Sequence, residues 1–283
     1  MISVAGGIGA ALAFLATTLC YARLSRMMSP YLVLAWVMLV GFTITVPFVA
    51  VAGRPRALGS AEIGWLLLAG FGNVGGLILT YMALRSGKVA LVAPITSTEG
   101  AIAALISVAA GERLAVTSAV TLAVIVTGIL LASTGHDPPG ADARHSGTGT
   151  IVLAVLSAAA FGASLYAVGR VGRDLPIAWA LVPARAVGVG VVALPLALSS
   201  RLRLPRAAVP FVLAGGSCEV IGIASYTIGA RHGIAVSAVL ASQFGALAAL
   251  AGFFLFRERL TRLQVVGVAA IAVGVAVLTG LQS

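Results

Sequence analysis

Charged residues are scarce in this chain. They make up 9% of its 283 residues, whereas soluble domains carry about 25%, and 60% of the residues are hydrophobic. A water-soluble globular fold is therefore not expected, because polar side chains could not cover so much apolar surface. The composition predicts a protein whose solvent is the lipid bilayer, and its 34 glycines suit close helix packing there.

Cysteine and histidine are also rare. Cys20 and Cys218 both fall inside apolar stretches, which predicts buried free thiols rather than a disulfide or metal ligands. The three histidines lie in loops without the spacing of metal ligands. No HExxH, Asp-rich metal motif, GxSxG elbow or phosphate loop is present. We therefore expect no enzyme activity, no cofactor and no resident metal.

Acidic residues number only 8 against 18 Lys and Arg, which gives a net charge of +10. The basic residues lie in short loops between apolar segments, without a nucleic-acid-binding motif, so nucleic acid is not an expected partner. Alternate loops carry 11 and 6 of these residues. The positive-inside rule would then place both termini outside the cytoplasm.

Ten apolar segments are long enough to cross about 30 Å of hydrocarbon at about 1.5 Å per residue. They cover residues 2–22, 31–52, 62–84, 88–110, 114–133, 149–170, 176–198, 208–230, 234–256 and 262–281. The one longer connector is polar and rich in Pro and Gly. The predicted domains are a first repeat (1–133), a linker (134–148) and a second repeat (149–283).

The two halves match at a constant offset of 146 residues. The strongest correspondence joins Glu112-Arg113-Leu114 to Glu258-Arg259-Leu260. Further matches are Pro30 with Pro176, Gly70 with Gly216, Val74 with Val220, Gly76 with Gly222, Arg85 with Arg231, and Gly128 with Gly274. Five segments per half is an odd number, so the copies must face opposite ways in the membrane. The sequence thus predicts an all-α integral membrane protein, with ten transmembrane helices arranged as two inverted five-helix repeats.

These features resemble the EamA domains of the drug/metabolite transporter superfamily. The resemblance is carried by the ten segments, the doubling, and a Glu-Arg-Leu motif followed by a Gly-containing apolar helix. That motif reads GERLAVTSAVTLAVIVTGILLAS in the first half and RERLTRLQVVGVAAIAVGVAVLTG in the second. The resemblance implies secondary transport, often export of amino acids, metabolites or drugs. It also implies cytoplasmic termini, against the charge count.

Polar side chains near the middle of the apolar segments are the candidate substrate- or proton-binding residues. A charge at the centre of a span costs about 2.5–3.5 kcal/mol, so such residues usually serve transport. The offset pairs Asn73 with Glu219 and Ser97 with Gln243, which predicts a shared polar belt. The candidates are Asn73, Ser97, Thr98, Glu99, Arg185, Glu219, Tyr226 and Gln243.

Glu99 and Arg185 each leave two interpretations open. Pro94 predicts a kink or opening in the fourth segment, where Glu99 is a proton carrier, a cation-binding carboxylate or a structural hydrogen-bonding group. Arg185 needs a carboxylate partner or an anionic ligand. It either neutralises one of the two glutamates, which leaves the other free to titrate, or clamps a substrate carboxylate. Glu219 is open to a coupling or a structural role, and Tyr226 to binding or packing.

The sequence favours a secondary active transporter in the cell's inner (plasma) membrane: a proton-coupled exporter of a small metabolite, amino acid or drug. Its expected partners are that substrate, protons as a candidate coupling ion, and the lipid bilayer. Both a monomer and a homodimer are compatible with the pattern. The alternatives are a passive channel or uniporter, and a membrane scaffold or lipid-head-group-handling protein without coupled flux.

Overall fold

The computed structural model describes residues 1–24, 27–53, 59–86, 95–132, 148–244, 247 and 262–281. Within these ranges every regular element is a helix. The helices are α1 (Ile2–Leu24), α2 (Pro30–Ala52), α3 (Ser60–Ser86), α4 (Glu99–Ala109), α5 (Val116–Ala132), α6 (Thr148–Asp174), α7 (Ile177–Gly188), α8 (Leu194–Leu198), α9 (Val209–Ala230), α10 (Ile234–Ala241) and α11 (Arg262–Leu281). The predicted linker, Pro94 and the second Glu-Arg-Leu motif lie outside the described residues.

Six stretches of the described chain are long and apolar enough to cross a membrane. They are Ile2–Tyr21, Pro30–Ala52, Ser60–Thr80, Gly149–Asp174, Ile177–Leu198 and Arg206–Ala230. Two shorter apolar helices, Glu99–Ala109 and Val116–Gly128, fall within the predicted fourth and fifth segments. The all-helical prediction is confirmed. The arrangement of ten spans as inverted repeats stays a prediction, since six stretches of the described chain qualify by length and composition.

Helix packing follows the predicted correspondence between halves. α1 packs along α9, and their repeat counterparts α6 and α3 pack along each other in the same way. A glycine permits each close approach: a Cβ added at Gly222 would lie 2.5 Å from the Phe14 ring, and one at Gly76 would lie 2.7 Å from the Phe161 ring. The pairs α2–α9 and α7–α3 match in the same manner.

Gly70 of α3 and Gly216 of α9 occupy equivalent positions. A Cβ at Gly70 would lie 2.8 Å from the Pro183 carbonyl oxygen of α7, and one at Gly216 would lie 3.3 Å from the Val37 carbonyl oxygen of α2. The two contacted residues are themselves separated by the repeat offset. The repeat correspondence predicted from the sequence is therefore also present in the backbone contacts between helices.

The seventh predicted segment is not one regular helix. α7 ends at Gly188 and is followed by a π-helical segment, Val189–Ala193, before α8 begins at Leu194. Pro195 accounts for the irregularity, because it lacks an N–H and its ring would clash with the carbonyl one turn earlier. The wider turn lies directly after Arg185, and such π segments are frequent at functional sites.

Candidate functional site

Two apolar segments are interrupted at equivalent places in the two halves. In the first half a turn at Ser97 and Thr98 precedes α4, and in the second half a turn at Ser242 and Gln243 follows α10. Ser97 and Gln243 are the pair that the offset of 146 residues predicted. The opening predicted from Pro94 lies outside the described residues, and the turn at Ser97 and Thr98 is the interruption that the structure describes.

The interrupted segments cross one another at a glycine. Any Cβ at Gly100 would collide with the Ser242 side chain and the Ala238 carbonyl oxygen, so only glycine allows α4 and α10 to approach this closely. Glu99, the first residue of α4, lies beside the crossing. The repeat-related turns therefore come together at one point.

Glu99 is 8% exposed at this crossing. Among the described residues, none donates a hydrogen bond to its carboxyl or forms an ion pair with it. Its carbonyl oxygen lies against Gly162 of α6, where a Cβ would come within 2.9 Å. Helix N-termini favour negative charge, which is the stabilising influence the fold offers this group. Nearby, the buried Nε2 of Gln243 also lacks a hydrogen-bond acceptor within the described ranges.

Arg185 and Glu219 form a buried ion pair. Arg185 Nη2 lies 3.3 Å from Glu219 Oε1, with side-chain exposures of 1% and 10%. The Tyr21 hydroxyl donates to Glu219 Oε2 at 2.5 Å. Gly41 of α2 makes room for the guanidinium, since a Cβ there would lie 3.1 Å from Arg185 Nε. Of the two partners foreseen for Arg185, the internal carboxylate is present, and it is Glu219 rather than Glu99.

Sequence reasoning missed Tyr21. This tyrosine lies near the end of α1, and 198 residues separate it from Glu219. No charge, motif or repeat match distinguishes it from the other tyrosines, and only the packing of α1 along α9 directs its hydroxyl to the carboxylate.

The remaining predicted site residues have varied surroundings. Tyr226 is fully buried and donates to the Leu165 carbonyl oxygen at 2.7 Å, which favours packing over ligand binding. Thr98 Oγ1 donates to the Ile95 carbonyl oxygen at 2.7 Å and so satisfies backbone loosened by the turn. Asn73 Oδ1 is buried without a donor among the described residues, and no described hydrogen bond joins it to Glu219.

Glu112 does more than mark a tight turn. Its carboxylate accepts hydrogen bonds from the backbone N–H groups of Ile234 and Ala235 at 3.2 and 3.4 Å, at the start of α10. Arg173 of α6 pairs with the same carboxylate at 3.4 Å, and the Ser107 hydroxyl also donates to it. The Glu-Arg-Leu motif of the first half therefore caps a helix of the second half, to which the dipole adds a favourable term.

The two cysteines and the candidate metal-ligating side chains were predicted to have no role in binding a metal. Cys20 and Cys218 are free, and both are half-buried rather than fully buried as predicted. Among the residues that the structure describes, no group of three or more His, Cys, Asp or Glu side chains could hold a metal ion.

Comparison with known proteins supports the transporter resemblance. Residues 1–134 match the model of the EamA-like transporter family, so the predicted resemblance is confirmed for the first half of the chain. That model describes transporters, and six described stretches of this chain are long and apolar enough to cross a membrane. No curated protein matches the chain.

A solved structure, titled only as the crystal structure of a protein, has the same fold. It aligns with a TM-score of 0.78 at 19% identity, over 99% of this chain and 96% of that one. At this identity the match shows the fold alone. It extends the fold assignment across both halves of the chain.

Proposed function

We propose that this chain, whose residues 1–134 carry an EamA-like transporter domain, is a secondary active transporter of the inner (plasma) membrane. It is a proton-coupled exporter of a small metabolite, amino acid or drug. The observation that carries the proposal is the crossing of two interrupted, repeat-related helices beside the buried Glu99 carboxyl. Discontinuous helices at equivalent positions of two halves are the best pointer to a transporter's binding site.

Alternating access of two inverted five-helix repeats is the proposed mechanism. The inverted arrangement of the halves is supported by contacts between the ends of α1, α6 and α9. The Gly6 backbone at the start of α1 lies against Gly229 near the end of α9, and a Cβ at Gly172 near the end of α6 would collide with Thr227 of that same helix end. The first helix of one half thus begins where the first helix of the other half ends, as inversion requires.

Glu99 is the proposed proton carrier. Glu219 is engaged by Arg185 and Tyr21, whereas no described residue engages the Glu99 carboxyl. A carboxyl without a counter-charge in apolar surroundings favours its neutral form until water reaches it. Access of water from one membrane side and then the other would load and release one proton per cycle.

The test is flux in proteoliposomes under an imposed pH gradient. The transported compound is first selected from a metabolite panel by thermal stabilisation of the purified protein. We expect the gradient to drive accumulation by the wild type, and Glu99→Gln to keep downhill flux while losing the response to the gradient. Glu62→Gln, at the exposed start of α3, is the matched control and should behave as the wild type.

Three results would contradict the proposal in different ways. Wild-type flux that runs only downhill and ignores the gradient would identify a passive uniporter. A gradient response that survives Glu99→Gln would assign coupling to another group. Stabilisation by a ligand without flux of that ligand would favour a scaffold or lipid-head-group-handling protein.

A further inference from the structure

The Arg185 guanidinium has more hydrogen-bonding capacity than its surroundings use. Arg185 is 1% exposed, and neither Nη1 nor Nη2 makes a hydrogen bond to the described residues. The contact with Glu219 Oε1, at 3.3 Å, satisfies the charge without the geometry of a hydrogen bond. Burying N–H groups without acceptors is costly, so an arrangement of this kind is expected only where another acceptor can arrive.

The two unsatisfied nitrogens are the ones a carboxylate prefers. Nη1 and Nη2 form one edge of a planar fork, and a carboxylate binds such an edge through two parallel hydrogen bonds. Gly41 lets α2 pack against the base of the fork, because a Cβ there would lie 3.1 Å from Arg185 Nε. A neutral or monoatomic ligand could not use both donors equally well.

Glu219 has an alternative to its ion pair. Its Oε2 already accepts a hydrogen bond from Tyr21, which also positions the side chain when Arg185 is released. A carboxyl that loses its cation in apolar surroundings takes up a proton, since an isolated charge there is far more costly than a neutral acid.

We propose that Arg185 exchanges Glu219 for the carboxylate of the substrate, so the transported compound carries a carboxylate group. The inference rests on the proposed transport function for its biological meaning. In the step, the substrate carboxylate displaces Glu219 from the guanidinium, and Glu219 takes up one proton from the buffered solution. Before the step, Arg185 carries a positive charge and Glu219 a negative one. After the step, the bound substrate carboxylate carries the negative charge and Glu219 is neutral, so the net charge of the site is unchanged.

The experiment measures binding in detergent, and so does not depend on flux. Acetate is the probe, compared with chloride at equal ionic strength and with acetamide as the neutral analogue. We expect acetate alone to raise the melting temperature of the wild type, and a pH indicator in weak buffer to show uptake of about one proton per acetate bound. Equal stabilisation by chloride or acetamide, or no stabilisation by acetate, would overturn the proposal.

The Glu219→Gln variant gives the more discriminating test of the binding experiment. With its internal competitor gone, Arg185 should bind acetate at least about tenfold more tightly, and proton uptake should vanish. A purely structural ion pair predicts the opposite, namely a less stable protein with no gain in acetate affinity.

The double variant Arg185→Gln/Glu219→Gln removes both charges and avoids leaving one buried alone. It should fold and no longer respond to acetate. A double variant that binds acetate as the wild type does would overturn the proposal. If the double variant loses acetate binding but keeps gradient-driven flux, the role of Arg185 in substrate binding is overturned while the proposed transport function stands. Failure of this inference can therefore be distinguished from failure of the proposed function.

Discussion

Three charged side chains lie buried in the described helical core, and their different surroundings indicate different roles. Arg185 and Glu219 neutralise each other, whereas Glu99 is beside a helix crossing with no counter-charge among the described residues. The sequence left open whether Arg185 pairs with a glutamate or binds a substrate carboxylate. It also could not say which glutamate would be the partner, because that depends on how α7 lies against α9.

Two tyrosines of the apolar segments show why side-chain roles need the packing. Tyr21 donates to a carboxylate, while Tyr226 donates to the Leu165 backbone and ties α9 to α6. Both look alike in sequence, and the direction of each hydroxyl follows from which helix lies opposite.

Tyr226→Phe should therefore reduce stability and leave ligand affinity unchanged. The variant leaves the buried Leu165 carbonyl without its donor, which should lower the free energy of unfolding by about 0.6 kcal/mol and at most about 1.7 kcal/mol. Chemical denaturation and ligand titration measure the two quantities. Tyr31→Phe, on a half-exposed side chain, is the control. A large loss of affinity in Tyr226→Phe would assign Tyr226 to the binding site instead.

At the scale of helices, glycines decide where backbones can meet. Gly70 and Gly216 face carbonyl oxygens of α7 and α2, whereas a Cβ at Gly75 would meet nothing within 4 Å. The sequence correspondence at Gly70 and Gly216 thus marked two real helix contacts.

Gly70→Ala and Gly216→Ala should both destabilise the protein, because each added methyl group must push two helices apart. Gly75→Ala, on the same helix as Gly70, should be neutral or stabilising by up to about 1 kcal/mol, since alanine is the better helix former. Melting temperatures of the three variants measure the effect. A Gly70→Ala variant as stable as Gly75→Ala would show that α3 and α7 are not in close contact.

Glu112 links helices of different halves, and its removal should act locally on α10. Glu112→Gln removes the charge that faces the α10 N-terminus and Arg173, at a cost of about 1 kcal/mol. Hydrogen exchange of the amides at residues 234–237 should accelerate. Glu62→Gln is the control, since the hydrogen bond described for Glu62, from the Gly59 N–H at 2.8 Å, lies at the start of its own helix. Unchanged exchange in α10 would mean that Glu112 does not cap it.

At the scale of the whole molecule, periodicity and repeats predicted more than side-chain chemistry could. Apolar length placed the long helices, and the offset paired Gly70 with Gly216, which the structure shows at equivalent helix contacts. Partners such as Tyr21 and Glu219, or Glu112 and Ile234, were not predictable, because they are brought together by tertiary packing and carry no periodic signal. The π-helical segment after Arg185 was also missed, although Pro195 was its visible cause.

Rocking of the two halves is the central claim, and it requires the two ends of the molecule to move oppositely. At the end of the molecule where Glu112 lies, Ala110 of the first half and Asp174 of the second half are both exposed. The Trp179 ring donates to the Gly53 carbonyl oxygen at 3.1 Å, which places the end of α2 with the start of α7. Ser29 and Ser199, before α2 and after α8, are therefore exposed at the opposite end.

The most direct measurement is the distance between spin labels at each end, by pulsed electron spin resonance, with Cys20 and Cys218 replaced by alanine. One protein carries labels at Ala110 and Asp174, and the other carries them at Ser29 and Ser199. Glu99→Gln mimics the proton-loaded carboxyl, and we predict that it shifts the two distance distributions in opposite directions. Distances that change together, or that do not change at either end, would contradict alternating access of the two halves.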